Sequence, residues 1–235
     1  MKRSVGILGG MGPLATADLF RKLVVLTDAS CDGEHIRVYI DSNVNIPDRT
    51  AAILRGGPSP LPEMTESLRR LEACGADCVI MPCNTAHYFL PELRPRTKLP
   101  FLSMLRATAR ACAARFPGKT AGVLATRGTL ETGLYPAALA AEGVASVLPG
   151  EAGRDALTAV IYDGVKAGRA LASFRAPVEQ TLSDMAAAGA DYFVLGCTEL
   201  PIVRETLALP GGFVDPTEEL AKAAIRWCGY RVRGE

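Results

Sequence analysis

Residues 79–87 read Val-Ile-Met-Pro-Cys-Asn-Thr-Ala-His, an apolar run that ends in a cysteine followed at once by polar residues. Residues 192–199 read Tyr-Phe-Val-Leu-Gly-Cys-Thr-Glu and have the same pattern. Short apolar runs of this kind predict buried strands, and the residues after each cysteine are typical of a helix start. Cys83 and Cys197 would then lie at the carboxyl ends of strands, where open α/β sheets bind their ligands.

The two cysteine stretches belong to a longer internal repeat. The triplet Gly-Ala-Asp occurs at 75–77 and at 189–191, and the two triplets, like the two cysteines, are 114 positions apart. The strand-like stretches 5–10 and 121–126 also correspond. We therefore expect two similar α/β domains, each a short, mostly parallel sheet flanked by helices. The repeat further predicts that the two domains face each other, with the site in the cleft between them and one cysteine from each.

A Pro-Gly pair at 117 and 118 marks the expected boundary between the halves. The first half covers 1–117 and contains the first cysteine, with the C-terminal helix 216–230 as a candidate addition. The second half covers 118–215 and contains the second cysteine. We expect the tail after Cys228 to be frayed.

Composition excludes several function classes. The net charge is +1 in 235 residues, which gives no electrostatic case for binding nucleic acid or an anionic membrane. No apolar run approaches the ~20 residues that a membrane span needs, and the first apolar stretch is too short for a signal peptide. The expected compartment is the cytoplasm.

The cysteine count argues against a disulfide scaffold. Seven is an odd number, and a chain of this length can build a sufficient core. Cys74, Cys112 and Cys228 lie in helical patterns and should pack as small apolar residues. Cys74 and Cys78 are four apart, but a predicted turn separates them and the chain has two histidines, so we expect no metal site.

Three interpretations of the paired cysteines compete. They could be unrelated core residues, although the repeat argues against that. They could form a redox pair, although redox pairs are usually Cys-x-x-Cys at one helix start. They could instead transfer protons, one thiolate removing a proton from one face of a substrate and the other thiol delivering a proton to the opposite face. Two similar halves suit racemisation, because a racemase must treat two mirror-related faces nearly alike.

Such chemistry needs donors for a carboxylate on which negative charge builds. Backbone N–H groups at the two predicted helix starts suit anions, and nearby hydroxyl and amide side chains add donors. The residues concerned are Asn84, Thr85, Thr126, Thr198 and Glu199. The same helix starts should lower the pKa of a nearby cysteine from about 8.5 toward neutral pH.

Two loops after predicted strands complete the candidate site. Residues 9–16, Gly-Gly-Met-Gly-Pro-Leu-Ala-Thr, let backbone approach a ligand closely and half-match a dinucleotide fingerprint, which alone is a weak signal. Arg49 lies in the polar loop after the next strand, and a guanidinium matches a carboxylate. A surface arginine is the plainer interpretation.

Four motifs together resemble the aspartate racemases of the cofactor-independent aspartate/glutamate racemase superfamily. They are 9–13 Gly-Gly-Met-Gly-Pro, 46–50 Ile-Pro-Asp-Arg-Thr, 82–87 Pro-Cys-Asn-Thr-Ala-His and 196–201 Gly-Cys-Thr-Glu-Leu-Pro. The resemblance implies two α/β domains related by pseudo-twofold symmetry, often a homodimer, and no pyridoxal or other cofactor. Cys83 and Cys197 match the two acid/base residues of the family. Arg49 and Lys166 match the pair that grips the side-chain carboxylate of the substrate.

The resulting hypothesis is racemisation of aspartate, a small-molecule substrate, by proton transfer between two cysteines. The expected substrate-binding residues are Met11, Arg49, Asn84, Thr85, Thr126, Lys166, Thr198 and Glu199. Glutamate racemases resemble Asp-Ser-Gly and Gly-Cys-Thr-His where this chain has Gly-Gly-Met-Gly-Pro and Gly-Cys-Thr-Glu, which favours aspartate. A glutamate or broad-specificity racemase and a non-catalytic ligand-binding protein stay open. His87 could tune Cys83 or be a capped, partly exposed histidine.

Overall fold

The computed structural model describes residues 2–235, which form two parallel β-sheets flanked by helices. The strands are β1 Val5–Gly9, β2 Val38–Ser42, β3 Val79–Ile80, β4 Ala121–Ala125, β5 Ser146–Val147, β6 Tyr192–Gly196 and β7 Phe213–Val214. The α-helices are α1 Pro13–Leu26, α2 Arg49–Leu54, α3 Leu61–Ala73, α4 Leu90–Leu93, α5 Met104–Arg115, α6 Arg127–Glu131, α7 Leu134–Ala140, α8 Glu151–Ala159, α9 Arg175–Ala187, α10 Leu200–Thr206 and α11 Pro216–Trp227. The 3₁₀ segments are Asp32–Glu34, Thr85–Phe89, Arg94–Arg96 and Leu171–Phe174, and Val160–Lys166 is π-helical.

The two sheets share a strand order. The first is β2-β1-β3 and the second is β5-β4-β6-β7, with every pairing parallel. Phe101 forms a parallel bridge to Val79 of β3, at the position where Phe213 of β7 pairs with Phe193 of β6. The predicted α/β class with two similar sheets is confirmed. Each candidate cysteine follows the strand next to the first strand of its sheet.

The repeated Gly-Ala-Asp triplets have a structural cause that begins with glycine. Gly75 follows α3 with φ +84° and Gly189 follows α9 with φ +101°. A left-handed residue at this position ends a helix by turning the next N–H groups back to its last carbonyls, and glycine adopts it without a Cβ penalty. Both turns then lead the chain into the strand that precedes a candidate cysteine, β3 before Cys83 and β6 before Cys197.

The aspartate of each triplet holds the start of the neighbouring strand. Asp77 accepts a hydrogen bond from the Ser4 N–H at 2.7 Å, just before β1. Asp191 accepts one from the Thr120 N–H at 2.8 Å, just before β4. These backbone hydrogen bonds lower the pKa of both carboxyl groups. The triplet is thus a repeated device for stopping a helix and setting the register of two strands.

The chain divides into two compact units, one formed by the residues up to Ala107 with Thr217–Glu235 and the other by Thr108–Pro216. The first has a core on each face of its sheet, because residues of β1 alternate: Val5 packs with α1 and α11, whereas Leu8 packs with α3 and α4. In the second, α8, α9 and α10 cover β6. The domain limits 1–117 with 216–230, and 118–215, stay a prediction.

Three helical segments differ from the sequence expectation. The single helix expected over 130–142 is two helices, α6 and α7, since Gly133 at φ +64° interrupts it. The helix expected over 154–166 begins at Glu151 and becomes π-helical after Ala159. The helix expected from His87 starts instead as a 3₁₀ turn at Thr85.

The C-terminal tail is packed, so the prediction that it frays after Cys228 is wrong. Val232 is buried and bridges to Thr27, and the Arg233 N–H donates to the Leu26 carbonyl at 2.7 Å. Backbone pairing to the end of α1 supplies hydrogen bonds that the composition of the tail does not reveal.

Two helical cysteines pack as expected and one does not. Cys112 and Cys228 are buried, whereas Cys74 at the end of α3 is exposed.

Within residues 2–235 none of the helices has the length and apolar character that crossing a membrane requires.

Candidate active site

In the first unit, Cys83 lies three residues beyond β3, at the carboxyl edge of the sheet. Asn84 is the N-cap of the 3₁₀ segment that begins at Thr85, and both side chains are buried. The cysteine itself keeps 6% of its surface exposed. The strand-to-helix turn predicted after the first cysteine is therefore present, although its helix is short and of the 3₁₀ type.

His87 links the Cys83 backbone to the start of α5. Its Nδ1 lies 2.9 Å from the Cys83 carbonyl oxygen, and its Nε2 accepts the Met104 N–H at 3.1 Å. Because Nε2 accepts, the imidazole proton lies on Nδ1, which donates to Cys83. Burial is the main cause that lowers the pKa of His87 to about 4. The expectation of a partly exposed histidine is wrong, since the ring is buried.

Arg49 ties together the loops that follow β1 and β2. Its Nη1 donates to the carbonyls of Ile46 at 3.2 Å and Pro47 at 2.9 Å, and its Nη2 donates to the Met11 carbonyl at 3.1 Å. The side chain is buried, so the plainer interpretation as a surface arginine is wrong. Carbonyl oxygens are neutral acceptors, and the three bonds to them orient the guanidinium.

The glycine loop that contains Met11 is shaped by contact with protein backbone. Gly10 has φ +87°, and a Cβ there would lie 2.3 Å from the Asn43 carbonyl oxygen. The Asn43 amide in turn donates to Glu63 at 3.0 Å and Ser67 at 3.2 Å, both on α3. At Gly10 the close approach made possible by glycine is to the loop after β2.

In the second unit, Cys197 follows β6 directly and its thiol donates to Glu199 Oε2 at 2.9 Å. The Thr198 hydroxyl donates to the same oxygen at 3.2 Å. Cys197 keeps 6% of its surface exposed, the same as Cys83. Glu199 is the N-cap of α10 and is buried, so its carboxylate is fixed beside the thiol.

The surroundings of Cys197 favour the protonated form of its thiol. Burial first, and the negative charge of Glu199 second, raise the pKa of the Cys197 thiol well above its usual range, while Lys166 acts in the opposite direction. The expectation that the helix start lowers this pKa is wrong, because α10 begins three residues later and the carboxylate lies closer.

Lys166 ends the π-helical segment and points its ammonium group toward Glu199. Nζ lies 3.9 Å from Glu199 Oε1 and 4.4 Å from the centroid of the Tyr162 ring. A cation above an aromatic face is attracted by the ring quadrupole. Lys166, Glu199, Thr198 and Cys197 thus form one connected cluster.

Thr126 occupies the position in the second half that the glycine loop occupies in the first. It caps α6, its Oγ1 accepting the Thr129 N–H at 3.3 Å and lying 3.1 Å from the Thr129 hydroxyl. The side chain is buried. A helix cap at the end of β4 explains the threonine locally, whatever it binds.

Residues 8–224 match the family model described as Asp/Glu/Hydantoin racemase. The chain belongs to this racemase family. It is similar to the solved structure of Picrophilus torridus aspartate racemase, with 31% identity and a TM-score of 0.83 over 98% of this chain and 96% of that one. The family predicted from the four motifs is confirmed.

Two curated relatives have other substrates in their names. The racemase is 27% identical over 234 residues to the broad specificity amino-acid racemase RacX of Bacillus subtilis, covering 94% of this chain and 96% of the relative. It is 30% identical over 199 residues to the glutamate racemase of Corynebacterium diphtheriae, covering 80% and 70%. The protein is therefore an isomerase, an amino-acid racemase.

One residue of the racemase's Lys166 cluster was missed from sequence. Tyr162 stands four positions before Lys166, a spacing at which helical side chains meet. That spacing was the available signal, but an isolated tyrosine in a helical pattern is more often a packing residue. The π-helical geometry of the segment, a form frequent at functional sites, is not visible in the sequence.

Proposed function

We propose that this racemase interconverts L- and D-aspartate without a cofactor, using Cys83 and Cys197 as its two acid/base groups. One thiolate takes the Cα proton and becomes a thiol, while the other thiol gives its proton to the opposite face of Cα and becomes a thiolate. The enantiomer consumed decides which cysteine acts as base. The observation that carries the proposal is that equivalent strands, β3 and β6, each lead to one cysteine that is equally buried.

The contact between Cys197 and Glu199 supports a protonated starting state for the Cys197 sulfur. A thiol that donates to a carboxylate at 2.9 Å and has a raised pKa rests protonated. A protonated Cys197 is ready to deliver its proton, which suits the direction in which Cys83 acts as the base. In the reverse direction, Cys197 must first reach its thiolate form, which Lys166 favours.

Substrate recognition is proposed for the remaining predicted residues. The backbone N–H groups of Asn84, Thr85, Thr198 and Glu199 would stabilise the substrate carboxylate as charge develops during proton removal. Met11 and Thr126, on the loops after β1 and β4, would line the substrate.

Arg49 and Lys166 would select the second carboxylate of aspartate. Arg49 is held rigidly by three carbonyls, and a pre-oriented guanidinium loses less entropy on binding. The similarity to an aspartate racemase over nearly the whole chain supports this choice of substrate.

A broader substrate range is the second candidate. The similarity to RacX covers 96% of that relative, and a glutamate racemase matches as well. If the carboxylate grip of Arg49 and Lys166 is weak, monocarboxylic amino acids would react at comparable rates. Substrate preference is a difference between affinities, so it has to be measured across a panel.

The test is solvent deuterium uptake at Cα across single amino-acid enantiomers in D₂O, followed by mass spectrometry. Aspartate should exchange fastest, and Lys166→Met should slow aspartate more than alanine. Comparable exchange of many amino acids, unaffected by Lys166→Met, would favour the broad-specificity candidate. Binding of aspartate without any exchange would contradict catalysis and favour a ligand-binding protein.

Assembly as a homodimer is part of the proposal. Large hydrophobic side chains that are well exposed belong to the first unit: Leu14, Phe20, Val24, Val25, Ile40, Val44, Leu54 and Tyr88. Contiguous exposed apolar side chains favour a partner surface, and four of these side chains lie on one helix, α1. Light scattering after size exclusion should give twice the chain mass of 24.8 kDa, and a single-chain mass would contradict the homodimer.

The cytoplasmic location also stays a prediction.

A further inference from the structure

The histidine beside the first cysteine is built into two backbone hydrogen bonds. Its Nδ1 lies 2.9 Å from the Cys83 carbonyl and its Nε2 lies 3.1 Å from the Met104 nitrogen. A buried imidazole needs partners for both ring nitrogens, and His87 finds one four residues back in the chain and the other at the start of α5. Here one partner is the peptide group of the proposed acid/base residue.

We infer that His87 is a positioning residue for Cys83, whose carbonyl it fixes through Nδ1–H while its Nε2 accepts the first N–H of α5. The inference rests on the proposed role of Cys83 and adds to it a requirement that the sequence left open. His87 need not touch the substrate, because it acts through the backbone of the residue that does.

The geometry explains how a carbonyl bond can matter to catalysis. The Cys83–Asn84 peptide is trans, so its C=O and N–H bonds point in opposite directions within one plane. Fixing the Cys83 oxygen through Nδ1–H therefore also fixes the direction of the Asn84 N–H. One hydrogen bond therefore sets the direction of a proposed carboxylate donor and the backbone from which Sγ extends. Proton transfer requires reacting atoms about 3–3.5 Å apart, and a 1 Å misplacement costs about 10²-fold in rate.

The second bond fixes the ring. The Met104 N–H is the first of α5 and has no partner within the helix, so Nε2 supplies the acceptor. Burial keeps the imidazole neutral at neutral pH, with a pKa lowered to about 4. A neutral imidazole whose Nε2 accepts a hydrogen bond carries its proton on Nδ1. The contact with the Met104 N–H therefore selects the Nδ1–H tautomer.

The first test is made on the unmodified enzyme. Nitrogen-15 NMR of the imidazole groups should show His87 neutral with its proton on Nδ1 between pH 7 and 8. The chain has two histidines, so His35→Gln assigns the signals. A proton on Nε2, or a charged ring at pH 7, would overturn the inference without any variant having to fold.

The second test compares two variants that each keep one of the bonds. His87→Gln keeps an acceptor near the Nε2 position and loses the Nδ1 donor, so kcat should fall about 10²-fold in both directions with little change in KM. His87→Asn keeps a donor near Nδ1 and should recover most of that kcat while its melting temperature falls. His35→Gln is the matched control.

A purely structural histidine would give a different ordering. Both variants would then lose stability, and kcat of the folded fraction would stay parental in His87→Gln, which overturns the inference. A folded His87→Asn that loses as much kcat as His87→Gln would overturn it too. Cys83→Ser is measured alongside: if it stays active, the two-cysteine proposal fails, whereas an inactive Cys83→Ser with a fully active His87→Gln removes only the role of His87.

Discussion

Cys83 and Cys197 follow equivalent strands in two sheets of the same order and have equal exposure, yet their surroundings differ in kind. Near Cys83, the neutral ring of His87 holds a backbone carbonyl. Near Cys197, the carboxylate of Glu199 holds the thiol itself. The two halves thus place a sulfur at the same position in the fold, but different groups hold the two cysteines in place.

This difference teaches how one fold, used twice, can supply unlike partners for one reaction. Two-base racemisation needs one thiolate and one thiol at the start of each turnover. Identical surroundings would give the two sulfurs the same pKa and no preferred state. A carboxylate on one side favours the protonated form there, so asymmetry between the halves suits the proposed chemistry.

The largest effect is expected from replacing either sulfur. Cys83→Ser and Cys197→Ser should each lower kcat for both enantiomers by about 10²–10⁴-fold, because a hydroxyl is a far weaker acid than a thiol. Steady-state assays by chiral chromatography measure this. Cys31→Ser, at an exposed cysteine, is the control and should be parental. Full activity of either serine variant at position 83 or 197 would contradict the two-cysteine proposal.

The next effect should come from the buried arginine of the first half. Arg49→Lys keeps the charge but loses the fork that three carbonyls orient, so KM for aspartate should rise about 10- to 100-fold, as for a lost charge-assisted hydrogen bond of about 1.5–3 kcal/mol. Lysine is preferable to alanine here, because alanine would remove every side-chain donor to the carbonyls of the two loops.

Arg55→Lys, at the exposed end of α2, is the control for that comparison and should keep the parental KM. An unchanged KM in Arg49→Lys would remove Arg49 from substrate binding and leave it a purely structural role between the loops.

A smaller effect should appear at the Cys197 thiol when its carboxylate partner is neutralised. Glu199→Gln removes a negative charge that raises the pKa of Cys197, so this pKa should fall and more thiolate should exist at a given pH. Alkylation of Cys197 by iodoacetamide near pH 8 should then be faster, although burial, the larger cause of the raised pKa, remains.

Site-resolved mass spectrometry follows both cysteines in one sample, so Cys83 serves as an internal reference. Glu205→Gln, farther along α10 at an exposed position, should leave the rate unchanged. Slower alkylation of Cys197 in Glu199→Gln would contradict the assignment of Glu199 as the group that keeps the thiol protonated.

The smallest effect concerns the loops after the first strands of the two sheets. Thr126→Ala removes the cap of α6 and should lower the free energy of unfolding by about 1 kcal/mol, measured by urea denaturation. Thr126→Ser keeps the oxygen and should retain most of the stability. Equal stability of the alanine variant would mean that the cap does not hold the loop.

The sequence contained most of the fold because its signals are local. Apolar runs at β1, β4 and β6, and glycines at the ends of α3 and α9, predict strands and helix ends directly. The repeat then predicted two similar sheets, since both halves carry the same signals at the same spacing. The two cysteines were predictable for the same reason, as residues that follow equivalent strands.

The roles of particular side chains depended on contacts between distant residues. Arg49 meets Met11 across 38 positions, and His87 meets Met104 across 17, neither of which any local pattern reveals. Gly10 suggested a ligand loop, but the atom it must avoid is the Asn43 carbonyl. The pKa of Cys197 was expected in the wrong direction because burial of the thiol, and then the negative charge of Glu199, raise it.

The central claim is that two different groups carry the two protons, and isotope distribution at low conversion tests it most directly. L-aspartate is incubated with the enzyme in D₂O, and Cα deuterium is measured in each enantiomer separately; the experiment is repeated from D-aspartate. The account predicts deuterium in the newly formed enantiomer and almost none in the remaining substrate, in both directions. Deuterium that appears equally in substrate and product would mean that one group serves both faces, and would contradict it.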